Sequence, residues 1–122
     1  MARFSHREIG ARYEQAASAF LLERGLQLIT QNFSCRTGEI DLIMRDQQTT
    51  VFVEVKYRKN RYFGHAAEAV TPTKTKKLIQ TAQFWLLKQG LSPYDTDFRF
   101  DVIAIHQDGD HIDWFQNAIT QE

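Results

Sequence analysis

Residues 38–58, GEIDLIMRDQQTTVFVEVKYR, contain two runs rich in β-branched and apolar residues around a short polar turn. Such a pattern predicts a β-hairpin. A turn centred between Gln47 and Gln48 predicts a register in which the numbers of facing residues add up to a constant. Because side chains alternate along a strand, this register places every residue of the hairpin on one of two faces.

One predicted face of the hairpin is aliphatic, and the other carries charge. On the charged face Asp41 lies opposite Glu54, and two facing carboxylates repel each other. The pairing therefore indicates a cation between Asp41 and Glu54; the alternative is a solvated outer face, where such charges carry little meaning. The expected pairs are Ile40–Val55, Leu42–Val53 and Met44–Val51 on the aliphatic face, and Ile43–Phe52, Asp41–Glu54 and Glu39–Lys56 on the charged face.

The composition of the chain is that of an ordinary globular protein. Its 122 residues are 43% hydrophobic and 25% charged, which predicts one domain over residues 1–122 with its own core. There is no apolar run of membrane-spanning length and no apolar core of a secretion signal. We therefore expect a cytoplasmic protein without a membrane partner.

Cysteine and histidine offer little for a metal site. Cys35 is the single cysteine, which excludes an internal disulfide and a thiolate metal cluster. His106 and His111 flank a turn and, with Asp108 or Asp110, imitate a metal site. No further ligands follow with recognisable spacing, so we expect these residues to have no metal role.

Charge is unevenly distributed along a chain whose net charge is zero. Residues 54–77 contain seven lysines and arginines against two acids, and residues 95–122 contain seven acids against one arginine. This asymmetry predicts one face suited to an anion, with a solvated charge run as the alternative. Residues 59–70 mix basic and aromatic side chains, which is typical of a loop that contacts nucleic acid, although the aromatics could also hold the loop down.

The remaining elements follow from helical periodicity and from capping residues. Ser5 and Thr71 fit helix N-caps, and Gly25 and Gly90 fit helix ends. The order is α-β-β-β-α-β-β, and the crossover through the second helix predicts that the fourth strand runs parallel to its neighbour. The predicted fold class is thus α/β (α+β), a mixed β-sheet flanked by helices. The expected elements are a helix to about Arg24, a strand at 26–33, the hairpin 38–58, a helix from Pro72 to about Gln89, and strands at 98–105 and 111–115 around an Asp108-Gly109 turn.

The hairpin contains the groups needed for phosphodiester hydrolysis. Two carboxylates, Asp41 and Glu54, together with phosphate oxygens and water, are how proteins usually hold Mg²⁺. Such an ion polarises the scissile phosphate and lowers the pKa of an attacking water. Lys56, two residues after Glu54 and on the same side of the strand, would stabilise the charge that develops in the transition state or orient the water.

The pattern of Asp41 followed by Glu54-x-Lys56 on the next strand resembles the PD-(D/E)xK nuclease superfamily, with Ile40 where the superfamily name expects proline. More widely, the chain resembles the YraN family of predicted bacterial endonucleases, akin to archaeal Holliday junction resolvases. The residues that carry this resemblance are Gly10-x-x-x-Glu14-x-x-Ala17, Asn32, Gly38-Glu39-Ile40-Asp41-Leu42-Ile43, Val51-Phe52-Val53-Glu54-Val55-Lys56-x-Arg58, Phe63-Gly64, Glu68-Ala69-Val70 and Lys74.

The resemblance implies a resolvase-like fold and an active site that includes Glu14. From the residues alone, Glu14 would be an exposed helix carboxylate; as a member of the site it would orient water or complete the metal site. The expected function is Mg²⁺- or Mn²⁺-dependent endonuclease cleavage of DNA, with branched, Holliday-junction-like DNA as a candidate substrate and a homodimer as the candidate assembly. The catalytic set is Glu14, Asp41, Glu54 and Lys56, the metal ligands are Asp41 and Glu54, and the expected nucleic-acid contacts are Arg36, Arg58, Lys59, Arg61, Lys74 and Lys77.

Two other functions remain open at this stage. A non-catalytic nucleic-acid-binding or assembly module would keep the fold, and the zero net charge favours it slightly. The intact set of two carboxylates and a lysine counts against it. A metal-dependent hydrolase of a small phosphate ester is disfavoured because the chain has no glycine-rich phosphate loop.

Overall fold

The structure is a computed structural model that describes residues 6–58, 72–106 and 111–119, with the side chains of all of these except 6–9 and 58. The described residues form elements in the predicted order. None of the described helices is long and apolar enough to cross a membrane. The elements are α1 (His6–Glu23), β1 (Gln27–Cys35), β2 (Gly38–Asp46), β3 (Thr49–Arg58), α2 (Pro72–Lys88), β4 (Phe98–His106) and β5 (His111–Phe115).

The five described strands form one mixed sheet in the order β1-β2-β3-β4-β5. Neighbouring strands are antiparallel except β3 and β4, which are parallel as predicted. The chain passes from β3 to β4 through α2, because parallel strands require a long crossover connection. Two apolar clusters cover the two faces of the sheet, one on the α1 side and one on the α2 side. The cluster on the α1 side includes Ala17, Leu21, Leu42, Met44, Val51, Val53, Ile103 and Ile105. The cluster on the α2 side includes Ile43, Phe52, Leu78, Ala82, Trp85, Leu86 and Phe100.

The predicted register of the hairpin is confirmed where β2 and β3 are paired, from Leu42 opposite Val53 to Asp46 opposite Thr49. The predicted face of Ile40 is wrong, because Ile40 packs in the cluster on the α2 side. The backbone pairing of β2 with β3 stops at Leu42. Beyond it, the N–H of Val55 on β3 donates to the side chain of Asp41 and not to the backbone of β2. The alternation set by the hairpin therefore does not extend to Ile40.

Both helices end at glycines, as predicted. Gly25 and Gly90 have φ values of 95° and 79°, a region that favours glycine. The N–H of Leu26 donates to the carbonyl of Leu21 at 3.1 Å, and the corresponding bond after Gly90 measures 2.9 Å. This pattern is the Schellman motif, in which the residue after the glycine packs back on the helix. The expected N-caps Ser5 and Thr71 and the expected Asp108-Gly109 turn lie outside the described residues.

A buried aspartate ties the far edge of the sheet to its centre. Asp101, on β4, is fully buried and accepts hydrogen bonds from Arg99 Nε at 3.0 and 3.2 Å, from Trp114 Nε1 at 2.9 Å and from the N–H of Asn117 at 2.9 Å. Arg99 also reaches Asp46, at the end of β2, at 3.1 Å. Both oxygens of the buried carboxylate are thus satisfied, and β5 is held against β4.

Candidate active site

The hairpin brings two carboxylates together at the point where β2 separates from β3. Asp41 Oδ2 accepts the N–H of Val55 at 2.8 Å, which turns the side chain of Asp41 towards β3. Burial raises the pKa of Asp41, while the Val55 N–H and the charge of Lys56 act to lower it. The charge of Asp41 in turn raises the pKa of Glu54, so the two carboxyls interact.

Glu54 has one occupied and one unsatisfied oxygen. Its Oε1 lies 3.7 Å from Lys56 Nζ and 3.7 Å from Lys74 Nζ. Its Oε2 is buried and has no hydrogen-bond partner in the described part of the chain. Burial and the neighbouring Asp41 raise the pKa of Glu54 to about 7, although both lysines act to lower it. Because a buried oxygen without a partner is costly, this position suits a proton or a cation.

The two lysines on Glu54 come from different elements. Lys56 lies on β3, and Lys74 lies in the first turn of α2. Burial lowers the pKa of Lys56, and the neighbouring Lys74 acts in the same direction, whereas Glu54 and Asp41 raise it. The first turn of a helix disfavours positive charge. The negative charge of Glu54, on the sheet, offsets this unfavourable interaction between Lys74 and the helix dipole.

The first helix brings Glu14 to the same place. Glu14 is half-buried, not exposed as its helical position alone would indicate. With the amide of Asn32 oriented so that its nitrogen faces Glu14, that nitrogen donates to the two carboxylate oxygens at 2.8 and 3.1 Å. Burial and then the charge of Asp41 raise the pKa of Glu14, while the Asn32 hydrogen bond lowers it. Glu14, Asp41, Glu54 and Lys56 therefore lie together, from three elements.

Local features of α1 and β1 explain how Glu14 reaches the sheet. Asn32 has a φ of 56°, a left-handed conformation that asparagine tolerates better than most residues, and its side chain reaches Glu14 from within β1. Tyr13, next to Glu14, packs edge-on against Tyr57, next to Lys56, with ring centroids 4.1 Å apart. These contacts hold α1 close to β3 beside the carboxylates. Asn32 had no predicted role.

A cleft of about 240 Å³ opens between the start of β2 and the first turns of α2. Glu39, Asp41 and Glu54 supply acidic groups to it, and Lys74 and Lys77 supply basic ones. The cleft thus combines carboxylates at its floor with cations from α2. The other lining residues are Thr37, Gly38, Leu78 and Thr81.

The wall of the cleft contains a hydroxyl contact that sequence reasoning missed. Thr81 donates to the carbonyl of Lys77 at 2.8 Å, and its Oγ1 lies 2.8 Å from Thr37 Oγ1. Thr81 is fully buried among the apolar residues of α2. The position of Thr81, a polar residue on the buried face of α2, could have indicated that it makes a tertiary hydrogen bond.

The predicted nucleic-acid contacts are placed unevenly. Lys74 and Lys77 line the cleft. Arg36 is exposed in the β1–β2 turn and does not line the cleft. The side chain of Arg58 and residues Lys59 and Arg61 lie outside the described residues.

The residues of the cleft fit a hard divalent cation. Among the described residues, no group of three or more histidine, cysteine, aspartate or glutamate side chains is arranged to hold a metal ion. Mg²⁺ nevertheless often binds through one or two carboxylates, with phosphate oxygens and water completing its shell. Asp41 and Glu54 supply two carboxylates, and Glu54 Oε2 is a buried oxygen with no other partner there.

Outside the cleft, two histidines converge on one aspartate. His106 Nε2 lies 3.3 Å from Asp113 Oδ2, and His111 Nε2 lies 2.9 Å from Asp113 Oδ1. The considered partners Asp108 and Asp110 lie outside the described residues. Asp113, which alternates with His111 along β5, is a partner that the sequence reasoning did not consider.

Comparison with known proteins places the chain in one family. The family model described as "Uncharacterised protein family UPF0102" matches residues 13–105. A UPF0102 protein of Vibrio cholerae serotype O1 is 56% identical over 115 residues, 94% of each chain. A UPF0102 protein of Vibrio campbellii is 54% identical over 121 residues, 99% of each chain, and one of Aliivibrio fischeri is 53% identical over 112 residues, 92% of this chain and 91% of the relative. This chain therefore belongs to the UPF0102 family.

Proposed function

We propose that this protein is a divalent-cation-dependent endonuclease that hydrolyses phosphodiester bonds of DNA. The observation that carries the proposal is the state of Glu54, whose Oε2 is buried without a hydrogen-bond partner among the described residues, beside Asp41. A strongly raised pKa in a cleft is typical of functional sites. The resemblance of Asp41, Glu54 and Lys56 to the PD-(D/E)xK motif, within the YraN pattern, supports the same chemistry.

Asp41 and Glu54 are the residues that would hold Mg²⁺ or Mn²⁺. When bound, such an ion polarises the scissile phosphate and lowers the pKa of an attacking water. Both carboxyls have raised pKa values without the ion, Asp41 through burial above all and Glu54 through burial and the charge of Asp41. A cation would favour the charged form of both groups.

The other groups of the site have separate roles. Lys56 places a largely buried ammonium beside Glu54, where it would stabilise negative charge that develops on the phosphate. Glu14, positioned by Asn32, would orient the attacking water. Lys74 and Lys77 would hold the phosphate backbone without reading sequence.

Branched DNA is the proposed preferred substrate, on the basis of the resolvase resemblance. A junction with two-fold symmetry needs two cuts, so action on it would require two copies of the site. We therefore extend the proposal to a homodimer that acts in the cytoplasm.

The test is cleavage of linear, single-stranded and four-way-junction DNA with Mg²⁺, with Mn²⁺ and with chelator. We expect cleavage that needs the metal and that falls on the order of 10⁴-fold in Glu54→Gln, as losses of a central catalytic group do. Glu23→Gln, an exposed carboxylate at the end of α1, is the matched control and should cleave normally.

Two results would contradict the proposal. Binding of DNA without metal-dependent cleavage of any substrate would favour the non-catalytic nucleic-acid-binding module. Cleavage of undiminished rate in Glu54→Gln would show that the activity belongs to another site or to a contaminant.

A further inference from the structure

Two ammonium groups share one oxygen of Glu54, and they differ in how firmly they are held. Both lie 3.7 Å from Oε1. The side chain of Lys56 is 14% exposed, whereas that of Lys74 is 40% exposed. Lys56 thus belongs to the sheet beneath the cleft, and Lys74 reaches Glu54 from the rim, where water has access to its ammonium group.

The contact between Lys74 and Glu54 is a loose one. Charge-assisted hydrogen bonds between nitrogen and carboxylate oxygen measure about 2.7–2.9 Å. A separation of 3.7 Å indicates attraction between charges without a directional bond. Lysine is also a flexible point charge with four rotatable stem bonds, so it can leave such a contact without disturbing the helix that carries it.

The charge balance of the cleft changes when a divalent cation enters. Without a cation, the negative charge shared by Asp41 and Glu54 is balanced by Lys56 and Lys74. A cation bound by the two carboxylates adds two positive charges within a few ångströms of both lysines. The more exposed ammonium has the smaller cost of leaving, because water can solvate it.

We propose that Lys74 pairs with Glu54 in the metal-free protein and is released by the divalent cation to bind the phosphate backbone of DNA. This inference rests on the proposed function, since it assumes a cation at Asp41 and Glu54. Lys77, one helical turn further along the same side of the cleft, would bind the backbone in either state. Cation binding and DNA binding then support each other, and this coupling is reciprocal.

The first test measures the affinity for Mn²⁺ without DNA, by calorimetry and by the electron paramagnetic resonance signal of free Mn²⁺. In Lys74→Met we expect Mn²⁺ to bind on the order of tenfold more tightly, because a repelling charge several ångströms away has been removed. Lys74→Arg keeps the charge and should bind Mn²⁺ like the original protein. Lys76→Met, an exposed lysine in the same turn, is the matched control and should also leave the affinity unchanged.

The second test measures DNA affinity against salt concentration, with chelator and with Ca²⁺ as a cation that need not support cleavage. In Ca²⁺, Lys74→Met should weaken DNA binding and reduce the salt slope by about one, the loss of one phosphate contact. With chelator, the same substitution should have little effect, because Glu54 already neutralises Lys74. The difference between the two conditions is the expected signature, and a merely structural role of Lys74 would not produce it.

The outcomes separate this inference from the proposed function. Mn²⁺ binding that is lost in Glu54→Gln but unchanged in Lys74→Met would overturn the inference and leave the cation site intact. Equal effects of Lys74→Met on DNA binding in Ca²⁺ and in chelator would also overturn it. If Mn²⁺ binding is absent or indifferent to Glu54→Gln, both the inference and the proposed cation site fall. Urea unfolding of each variant shows whether the fold is retained.

Discussion

Asp101 and Glu54 are buried carboxylates on neighbouring strands of the sheet, and their surroundings are opposite in kind. Both oxygens of Asp101 accept hydrogen bonds, from Arg99, Trp114 and the backbone of Asn117. Glu54 has two distant ammonium groups on one oxygen and no partner on the other among the described residues. Each oxygen of Asp101 thus has a hydrogen-bond donor, whereas Glu54 has ammonium groups near one oxygen only.

The difference separates a residue that stabilises the sheet from the central residue of the proposed site. A buried charge that is paired and hydrogen-bonded can be retained because it holds elements together. A buried carboxyl with a raised pKa and an orphan oxygen costs stability, and such residues cluster where a ligand completes the site. Burial alone therefore would not separate Asp101 from Glu54; the hydrogen-bond inventory does.

The largest expected effect on stability comes from Asp101→Ala. It would leave the half-buried guanidinium of Arg99 and the Nε1–H of Trp114 without their shared acceptor. Removing one partner of a buried ion pair typically costs about 3–5 kcal/mol, and we expect the free energy of unfolding in urea to fall by that amount. Glu54→Gln should not lower the free energy of unfolding at pH 7, because Glu54 with its raised pKa does not stabilise the fold there, and Asp97→Ala, an exposed acid before β4, is the control.

An equal loss of stability in Asp101→Ala and Glu54→Gln would break the comparison. It would mean that the contacts of Glu54 with its lysines stabilise the fold as much as the network around Asp101 does. The cleft would then be a structural ion-pair cluster.

A second expected effect is a pH dependence that belongs to Glu54. Its pKa is raised from an ordinary value of 4.5 to about 7 in the folded protein, through burial and the charge of Asp41. The folded state therefore holds its proton more tightly than the unfolded state. Without metal, the contribution of Glu54 to stability is present below pH 4.5 and is lost as the pH rises through 7, by up to about 3 kcal/mol.

The measurement is urea unfolding in chelator at several pH values between 4 and 8. Glu54→Gln cannot titrate there, so the stability of this variant should gain on that of the original protein as the pH rises through the window. Added Mn²⁺ should reverse the loss for the original protein, because a cation favours the charged carboxylate. Parallel pH profiles of the two proteins in chelator would show that folding does not change the pKa of Glu54.

The smallest expected effect is that of Trp114→Phe. This change removes the hydrogen bond to Asp101 at 2.9 Å and keeps an aromatic ring near Phe20. Because Arg99 and Asn117 still satisfy Asp101, we expect a loss of only about 1–2 kcal/mol in the free energy of unfolding. A loss as large as that of Asp101→Ala would mean that the network acts as one unit and that its bonds cannot be removed one at a time.

Much of the fold was predictable because the relevant signals are local. Alternating apolar residues and a two-residue turn were enough to predict the register between Leu42–Val53 and Asp46–Thr49. Gly25 and Gly90 predicted the ends of both helices, since few other residues tolerate their φ values. The face on which Ile40 lies was not predictable. It depends on the side chain of Asp41, which replaces a backbone hydrogen bond between β2 and β3.

The site was only partly predictable from its residues. Asp41, Glu54 and Lys56 could be grouped because they lie on one hairpin. Glu14 was assigned through the resemblance alone, since no local pattern of α1 marks it. Asn32 and Thr81 were missed as partners of other residues because their contacts join segments far apart in the sequence.

The sequence by itself determined the order of the elements, the pairing of β2 with β3, and the presence of two carboxylates and a lysine at the end of that pairing. These depend on periodicity and turn chemistry, which act between near neighbours. Only the tertiary structure decided which acids are satisfied. Asp101 and Glu54 look alike in their apolar strands, and their difference arises from groups on other elements: Trp114 and Asn117 after β4, and Lys74 on α2. Long-range packing supplies those partners, and so it separates the acid that stabilises the sheet from the acid with an open oxygen in the cleft.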